Sequence, residues 1–449
     1  MDDTAGATEQ GIGTAAVELL GELIRVNTVN PPGNEAPAQD LLADLLSGAG
    51  FGCELLAAEA GRPNLVARLR GAAAGPTLCL IGHVDTVTAD PADWSFDPWA
   101  GDVAGGEVRG RGAQDMKGQV AAEVAAAAAL GRSGWRPERG ELLVVTLADE
   151  ETGGELGARW LCKTHPEKLE PDYVVNEGGG IVFEAGGARF YPLCVAEKGI
   201  LRFKLRTRGR AGHASVPALG DNALLKLAPL ISRLGAQPPL EPTPEGIAFL
   251  EAMTGGELDG AGARELEEAL ARLREREPAL ATYLAEPMLR VTMTPTRVSA
   301  SPKANIIPAH AEVLVDCRVP PELGEEHVRE RITRLLADGD VPEYEVDFTE
   351  RDVGNRSPAA GPLADAIAAW VERTDPGARV VPIAMPAFSD SNSFRRAFPD
   401  AAVYGFCPQR GMTLAEADPL VHGADERIKA ADVEYAATFF RDLAMELLR

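Results

Sequence analysis

The feature that most constrains the fold is the largely apolar run LLVVTL at residues 142–147, which leads into the acidic sequence ADEETGG. Such a run is typical of a strand buried on both faces, as in a parallel sheet covered by helices. Ligands of open α/β sheets bind at the carboxyl ends of the strands. We therefore predict that Asp149, Glu150 and Glu151 emerge where a ligand would bind.

The two adjacent glutamates in this sequence are predicted to differ in role. Neighbouring side chains diverge along the backbone, so Glu150 and Glu151 are expected to face different ways. One could bind a metal ion while the other transfers a proton. A solvated acidic turn is the simpler interpretation of an isolated pair of glutamates. Other polar residues of the chain decide between the two.

Strands and helices alternate through the first part of the chain. Strands are predicted at residues 64–69, 77–81, 142–147 and 172–175, and helices at 15–26, 36–46, 116–130 and 156–164. This alternation predicts an α/β domain with a mostly parallel central sheet and helices on both faces.

The pattern changes near residue 198. The predicted elements there are strand 200–207, helix 221–234, strands 289–299 and 311–318, helix 324–337 and strand 344–349. This βαββαβ order is that of a ferredoxin-like α+β domain. An insertion at 237–287, with a charged helix at 263–276, is expected to be a surface decoration.

The α/β pattern returns after residue 355 and ends in an amphipathic helix predicted at 425–448. We therefore predict one domain formed by residues 1–197 and 353–449, interrupted by a second domain at residues 198–352.

Charge and composition narrow the range of partners. The net charge of -24 repels phosphate backbones, and no basic cluster with interleaved aromatic residues stands out, so nucleic-acid binding is not expected. No apolar run is long enough to span a bilayer. The acidic start MDDTAGATEQ differs from a secretory signal, and the six scattered cysteines indicate small buried hydrophobes. We expect a cytoplasmic protein.

Four further sites place polar residues at the ends of predicted elements. His83 and Asp85 follow the strand at 77–81 in the sequence GHVD, where Asp85 could steady the imidazole while its other nitrogen binds a metal. Asp115 lies in GRGAQDMKG, Glu177 in NEGGG and His422 in PLVHGADERI. Taken singly, these residues indicate a structural histidine, a helix cap, a turn acid and a loop histidine.

Taken together with Glu151, these sites supply two histidines and three carboxylates. That set is enough for two divalent cations that share Asp115 as a bridging ligand. Such a pair can polarise a carbonyl group and lower the pKa of a bridging water, leaving Glu150 to accept the proton. The mixture of imidazole and carboxylate suits zinc, and cobalt or manganese would accept the same ligands.

The motifs GHVD, GRGAQDMKG, ADEETGG, NEGGG and PLVHGADERI, in this order, resemble those of the co-catalytic zinc peptidases and deacylases. That family includes aminoacylase, acetylornithine deacetylase, succinyl-diaminopimelate desuccinylase and glutamate carboxypeptidase. The resemblance covers nearly the whole chain. It implies two Zn²⁺ ions, one held by His83, Asp115 and Glu177 and the other by Asp115, Glu151 and His422. It also implies Glu150 as general base and acid, and a cis peptide bond after Asp115.

The resemblance extends into the interrupting domain and implies that this domain is a lid and dimerisation domain. The sequence GRAGHASVP implies that His213 stabilises the oxyanion, with a turn histidine as the alternative. The sequence KANIIPAHAEVLVDCRVPP implies that Asn305 and Arg318 hold a substrate carboxylate, with a surface ion pair as the alternative for the arginine. The loop PAFSDSNSF stands where many relatives have a GGTSD-like loop, and it offers Ser389 as a substrate contact.

The function that the resemblance implies is hydrolysis of an amide bond by a metal-bound hydroxide. The implied substrate is an N-acyl amino acid or a short peptide with a free carboxylate, and a homodimer through the lid domain is possible. The alternatives are a ureido or carbamoyl amidohydrolase of the same fold and a catalytically silent binding protein. Retention of Glu150 together with all five ligands favours an enzyme.

Overall fold

The strand predicted at residues 142–147 lies inside a large mixed sheet. The computed structural model describes residues 9–236, 239–258, 260–337 and 341–449. The chain divides into two units, of which the first comprises the residues up to Val195 together with Ser357–Pro382 and Ser389–Arg449. The second unit comprises Ala196–Arg356 and Ile383–Phe388.

The described residues up to Glu197 form four α-helices and nine strands. The helices are α1 (Glu9–Arg25), α2 (Ala36–Gly48), α3 (Lys117–Arg132) and α4 (Ala158–Thr164). The strands are β1 (Gly52–Ala57), β2 (Pro63–Arg70), β3 (Ala73–His83), β4 (Asp102–Ala104), β5 (Glu107–Arg109), β6 (Arg139–Leu147), β7 (Tyr173–Asn176), β8 (Phe183–Ala185) and β9 (Ala188–Glu197).

The next part of the chain forms the second unit. Its strands are β10 (Gly199–Ile200), β11 (Phe203–Arg208), β12 (Gly212–His213), β13 (Thr292–Ser299), β14 (Ile306–Ile307), β15 (His310–Val319), β16 (Tyr344–Phe348) and β17 (Asn355–Arg356). Its helices are α5 (Ala223–Leu234), α6 (Pro244–Thr254), α7 (Ala263–Arg276), α8 (Pro278–Leu280), α9 (Glu286–Leu289) and α10 (Glu325–Leu336).

The last part of the chain returns to the first unit, except for Ile383–Phe388, which belong to the second unit. Its elements are α11 (Pro362–Thr374), β18 (Arg379–Met385), α12 (Ser391–Ala397), β19 (Ala402–Gly405), α13 (Leu414–Ala417), β20 (Arg427–Lys429) and α14 (Ala430–Leu447). Among the described residues, no helix has both the length and the apolar character that a membrane span requires.

The large sheet has a parallel centre, as the sequence predicted. Its strands follow the order β1-β2-β6-β3-β7-β19-β9, in which β6, β3, β7 and β19 run parallel and the outer pairs are antiparallel. His83 at the end of β3 lies opposite Leu147 at the end of β6. The turns that follow these strands therefore emerge side by side at one edge of the sheet.

Helices pack on both faces of this sheet. Leu143, Val145 and Leu147, which alternate along β6, share one core with Leu161 of α4 and Phe394 of α12. Helix α3 covers β3 and contacts α1 and α14. Gly82 permits this close approach, because a Cβ atom there would lie 2.7 Å from Val120 Cγ2. Helix α3 therefore packs directly behind the turn that follows β3.

The second unit contains an antiparallel sheet covered by two helices. Strands β13, β15, β11 and β16 are neighbours in that order, and the short strand β10 pairs antiparallel with the end of β15. Leu227 of α5 and Ile332 of α10 pack against Val313 and Val315 of β15. This is the βαββαβ arrangement expected for residues 200–349.

The bounds of several predicted elements differ from those observed; the helix predicted at 15–26, for example, begins at Glu9. The helix predicted at 425–448 begins only at Ala430, because Ile428 pairs with Val108 and makes the preceding residues a strand. The strand predicted at 289–299 begins at Thr292, because residues up to Leu289 complete α9.

Eight further strands were not predicted, namely β1, β4, β5, β8, β9, β12, β14 and β17. Helix α7 of the insertion buries Leu266, Ala269, Leu270 and Leu273. It is therefore a packed amphipathic helix as well as a surface element.

Candidate metal centre

His83 leaves the end of β3 with its two ring nitrogens in different environments. Nδ1 donates a hydrogen bond to the backbone carbonyl of Asp85 at 2.9 Å, and Nε2 lies 3.1 Å from Asp115 Oδ1. An imidazole that donates through one nitrogen presents the lone pair of the other, as a metal ligand requires. The Asp85 carboxylate, which we expected to steady the ring, lies 3.6 Å from Nδ1. The direct partner of the ring is therefore the Asp85 backbone.

The Asp85 carboxylate instead supports the acidic turn after β6. It accepts hydrogen bonds from the backbone N–H groups of Glu150 and Glu151, each at 3.2 Å, and from Asn30 Nδ2 at 2.9 Å. Asp149 begins the turn in the left-handed region at φ 72°. Asp85 therefore fixes the backbone of both glutamates. Their two side chains leave this backbone in different directions.

Asp115 lies between the two histidines. Its Oδ1 faces His83 Nε2 at 3.1 Å and its Oδ2 faces His422 Nε2 at 3.1 Å. The peptide bond from Asp115 to Met116 is cis, which confirms that expectation. Helix α3 begins at Lys117 without a side-chain cap, so Asp115 is not a helix cap.

Glu151 and His422 form the other side of the centre. His422 Nε2 lies 3.1 Å from Glu151 Oε2, and Glu151 Oε1 accepts a hydrogen bond from Val87 N at 3.2 Å. The His422 side chain is 53% exposed, whereas that of His83 is 1% exposed. The two histidines therefore approach Asp115 from the protein interior and from the solvent side.

Two groups of candidate ligands result from this arrangement. One comprises His83, Asp115 and Glu177, and the other comprises Asp115, Glu151 and His422; within each group the ligand atoms lie within 4.8 Å of one another. Histidine nitrogen with carboxylate oxygen is a donor set that suits zinc and other first-row divalent cations. Asp115 belongs to both groups, so its two oxygens could join two cations.

Glu150 belongs to neither group. Its Oε2 lies 4.0 Å from His83 Nε2, and its side chain is 11% exposed. Burial, and after it the negative charge of Glu177, raise the pKa of Glu150 well above its ordinary value. A buried glutamate beside the ligands, with a raised pKa, has the properties of a group that takes up and releases a proton.

The electrostatics of the centre indicate an excess of negative charge. Burial alone would lower the pKa of His83, but Asp115 and the other nearby carboxylates raise it well above its ordinary value. Hydrogen bonds to Asp115 and Glu151 raise the pKa of His422 to about 10. Burial and Asp115 raise the pKa of Glu177. Divalent cations would neutralise this charge, so the residues present fit a metal centre.

The remaining predicted site residues lie elsewhere. His213 is an exposed residue of β12 in the second unit, where its Nδ1 accepts a hydrogen bond from Ser215 N at 3.2 Å. Asn305 is exposed in the turn before β14, and its backbone carbonyl accepts from Ala214 N at 3.0 Å. Arg318 of β15 pairs with Asp316 at 2.8 Å, the ion pair that was the alternative to substrate binding.

Ser389 belongs to the first unit and is fully buried. Its Oγ accepts hydrogen bonds from Asn176 Nδ2 and from Ser391 N, both at 3.2 Å. The bond from Asn176 connects the loop before α12 to the last residue of β7, which directly precedes Glu177.

Sequence reasoning missed several residues that support the acidic turn. Asn30 Nδ2 lies 2.9 Å from Asp85 Oδ2, 3.1 Å from Asp149 Oδ1 and 3.0 Å from Thr152 Oγ1. Arg62 pairs with Asp149 at 3.1 Å and with Glu35. The only sequence signal for Asn30 was its place in the loop NTVNPPGN, which predicts a turn but no long-range partner.

Comparisons with known proteins decide the family. The model of peptidase family M20/M25/M40 matches residues 79–446. The chain belongs to this family. Its similarity to succinyl-diaminopimelate desuccinylase is 29% identity over 94% of this chain and 96% of the Paracoccus denitrificans enzyme. It is 39% identical to the Xanthobacter autotrophicus enzyme over 49% of this chain, a match that spans 57% of that enzyme's length. The M20 chain is thus a hydrolase that acts on amide bonds.

Solved structures of low sequence identity share the fold. An M20 family metallo-carboxypeptidase from Sulfolobus solfataricus superposes with a TM-score of 0.71 at 18% identity, covering 96% of this chain and 99% of that chain. Human carnosine dipeptidase 1 gives a TM-score of 0.67 at 17% identity, covering 98% of each chain. A dinuclear metal-binding peptidase of the family from Bacillus subtilis gives 0.62 at 14% identity, covering 98% of this chain and 99% of that one.

Proposed function

We propose that this M20 protein binds two divalent cations, Zn²⁺ in the first place, and hydrolyses the amide bond of an N-acyl amino acid or a short peptide with a free carboxylate. The proposal depends on one observation: two groups of candidate ligands, each with one histidine and two carboxylates, share Asp115. The name of the Bacillus subtilis neighbour, a dinuclear metal-binding peptidase, supports two cations. The desuccinylase relatives support an acyl substrate.

The five proposed ligands divide between the two cations. His83 and Glu177 would hold one cation, Glu151 and His422 would hold the other, and Asp115 would contact both. Two cations bound there would polarise the substrate carbonyl and lower the pKa of a water molecule.

Glu150 is proposed as the group that moves the proton. Its carboxylate would take a proton from the attacking water and deliver it to the nitrogen of the departing amine. Its burial and its raised pKa favour this role, because a raised pKa makes the carboxylate a stronger base toward the proton of the water. Asp85 would fix the position of Glu150 through the hydrogen bond from the Glu150 backbone N–H.

His213 is proposed as the donor to the oxyanion that forms on the carbonyl oxygen. Its Nδ1 is already in contact with Ser215, at 2.7 Å from Oγ, which leaves Nε2 as the nitrogen for a ligand. Asn305, Arg318 and Ser389 are proposed substrate contacts. For Arg318 this requires that a substrate carboxylate competes with Asp316 for the guanidinium group.

We further propose that two copies of the chain associate through the second unit and that the protein is cytoplasmic. Large exposed apolar side chains support the first of these proposals: Leu219 is 62% exposed and Leu225 is 72% exposed. Sedimentation equilibrium on the protein and on Leu225→Glu would test it. A monomeric wild-type protein would contradict it.

The test of the proposed function is a substrate panel assayed with the metal-free and the zinc-loaded protein. The panel contains N-succinyl, N-acetyl and N-carbamoyl amino acids and dipeptides. We expect zinc-dependent release of the amino acid from an N-acyl amino acid or a dipeptide. Cleavage of carbamoyl substrates alone would favour the ureido amidohydrolase, and no turnover by the zinc-loaded protein would favour a silent binding protein.

A further inference from the structure

Two residues outside the ligand set join the two loops that carry Asp115 and His422. Arg111 lies four residues before Asp115, and Glu426 lies four residues after His422. Their side chains form a buried ion pair, in which Arg111 Nη1 lies 2.6 Å from Glu426 Oε2. The two residues are 2% and 0% exposed.

Glu426 binds the backbone of the Asp115 loop. Its Oε1 accepts hydrogen bonds from Gln114 N at 2.7 Å and from Asp115 N at 3.0 Å, and its Oε2 accepts from Gly112 N at 2.9 Å. Three successive contacts to one carboxylate determine the path of this loop. Loss of the carboxylate group would leave these N–H groups buried without an acceptor, and replacement by an amide would remove one of the two acceptor oxygens.

Arg111 binds the backbone of the His422 loop in return. Its Nη2 donates to Gly423 O at 2.9 Å and lies 3.4 Å from His422 O. The guanidinium carbon also lies 5.1 Å from the centre of the Trp94 ring. The planar fork of arginine allows one nitrogen to contact Glu426 while the other contacts the carbonyls.

We propose that Arg111 and Glu426 are positioning residues that set the affinity of the centre for its cations. Each loop sends one charged side chain to the backbone of the other loop, so the separation of Asp115 and His422 depends on this pair. The inference rests on the proposed function, because it requires that the two groups bind cations. Removal of a group that orients a metal ligand typically lowers the metal affinity by about 10- to 100-fold.

The two residues are expected to act on different parts of the centre. Besides the His422 loop, Arg111 Nη2 contacts Thr88 O at 3.3 Å, next to Val87, whose N–H donates to Glu151. Its contacts therefore lead to His422 and Glu151, so its loss should weaken the group of Asp115, Glu151 and His422 most. Glu426 holds Asp115 itself, which belongs to both groups, so its loss should weaken both.

The experiment is a titration of the metal-free protein with Co²⁺, followed by visible absorption, in the wild type, Arg111→Met, Glu426→Gln and a control. The control is Asp375→Asn, because Asp375 is also a buried acid that pairs with an arginine, Arg189, and it contacts none of the ligand loops. For Arg111→Met we expect about a tenfold or larger loss of affinity for one Co²⁺ and little change for the other. For Glu426→Gln we expect both affinities to fall.

The outcomes separate this inference from a purely structural role. A structural pair would lower the melting temperature of the metal-free protein, as we expect for Asp375→Asn, and leave both affinities within twofold of the wild type; that result would overturn the proposal. Should Arg111→Met not fold, Arg111→Lys retains the charge beside Glu426 but cannot also reach the Gly423 carbonyl. Wild-type affinities in Arg111→Lys would then overturn it. A wild type that binds no Co²⁺ would refute the proposed function instead.

Discussion

At the scale of single residues, the division of labour between Glu150 and Glu151 is the main chemical feature of the centre. Glu151 faces His422 at 3.1 Å, whereas Glu150 lies 4.0 Å from His83 Nε2 and belongs to neither ligand group. Two adjacent residues thus present one candidate ligand and one candidate proton carrier. The Asp85 carboxylate makes this possible, because it accepts the backbone N–H of both residues.

The first prediction concerns Glu150. Replacement by Gln removes the proton carrier but no proposed ligand, so kcat should fall by about 10²- to 10⁴-fold while the metal content stays the same. Steady-state kinetics combined with metal analysis measures both. Glu155→Gln is the matched control, since Glu155 is an exposed residue of the same turn. Unchanged kcat in Glu150→Gln would remove Glu150 from the mechanism.

The second prediction concerns Glu123, a fully buried acid of α3. Its Oε1 accepts from Gln119, and burial raises its pKa well above the ordinary value of 4.5. Between pH 4.5 and this raised pKa the folded chain binds more protons than the unfolded chain, so the unfolding free energy falls as pH rises. Glu123→Gln cannot take up this proton. As pH rises, its free energy of unfolding should therefore increase relative to that of the wild type by about 1.4 kcal/mol per pH unit.

Urea unfolding of the metal-free protein between pH 5 and pH 7 tests this prediction. The control is Glu22→Gln, because Glu22 is an exposed residue of α1. Parallel pH profiles for Glu123→Gln and the wild type would show that Glu123 is ionised in the folded protein.

At the scale of elements, the loop before α2 supports the turn after β6. Asn30 lies in this loop and contacts Asp85, Asp149 and Thr152 through one amide group. Its own backbone N–H donates to Thr86 O at 2.9 Å, which ties the loop to the chain just after β3. The turn that carries Glu150 is therefore held by a segment more than a hundred residues earlier in the chain.

The third prediction tests this support. Asn30→Ala should lower kcat about tenfold, because the Asp85 carboxylate and the turn lose a shared donor. KM should change little, since Asn30 is buried and is not among the proposed substrate contacts. Asn27→Ala is the control from the same loop, because Asn27 is exposed and its side chain accepts a hydrogen bond from the nearby Val29 N. Equal kcat values for the two variants would contradict the prediction.

The sequence predicted the strands whose ends carry the site because their apolar runs are continuous. The runs at 77–81 and 142–147 correspond to parts of β3 and β6. It did not predict β9, in which Pro192 interrupts the apolar pattern. Nor could it predict the partners of Asp85 or Glu426, because hydrogen bonds between residues far apart in the chain leave no local periodicity.

At the scale of the whole molecule, the chain separates a mixed α/β unit that contains the candidate centre from an antiparallel α+β unit that contains His213. Both groups of candidate ligands belong to the first unit. Cation binding should therefore stabilise the first unit directly, because an ion that binds only the folded state adds to the free energy of unfolding.

The fourth prediction concerns removal of the metal. Chelation of the zinc-loaded protein should lower its melting temperature, with a loss of about 4 kcal/mol for each ion if the free ion had been present at a thousand times its dissociation constant. Calorimetry with and without a chelator measures the shift. The double variant His83→Ala with His422→Ala should not respond, whereas His213→Ala should respond like the wild type. A response in the double variant would place the stabilising ion elsewhere.

The most direct test of the account is the number of Zn²⁺ ions bound per chain, measured by equilibrium dialysis and elemental analysis of the wild type and His422→Ala. We expect two ions in the wild type and one in the variant, because His422 belongs to only one of the two groups that share Asp115. Fewer than two ions in the wild type, or the same number in both proteins, would contradict the account.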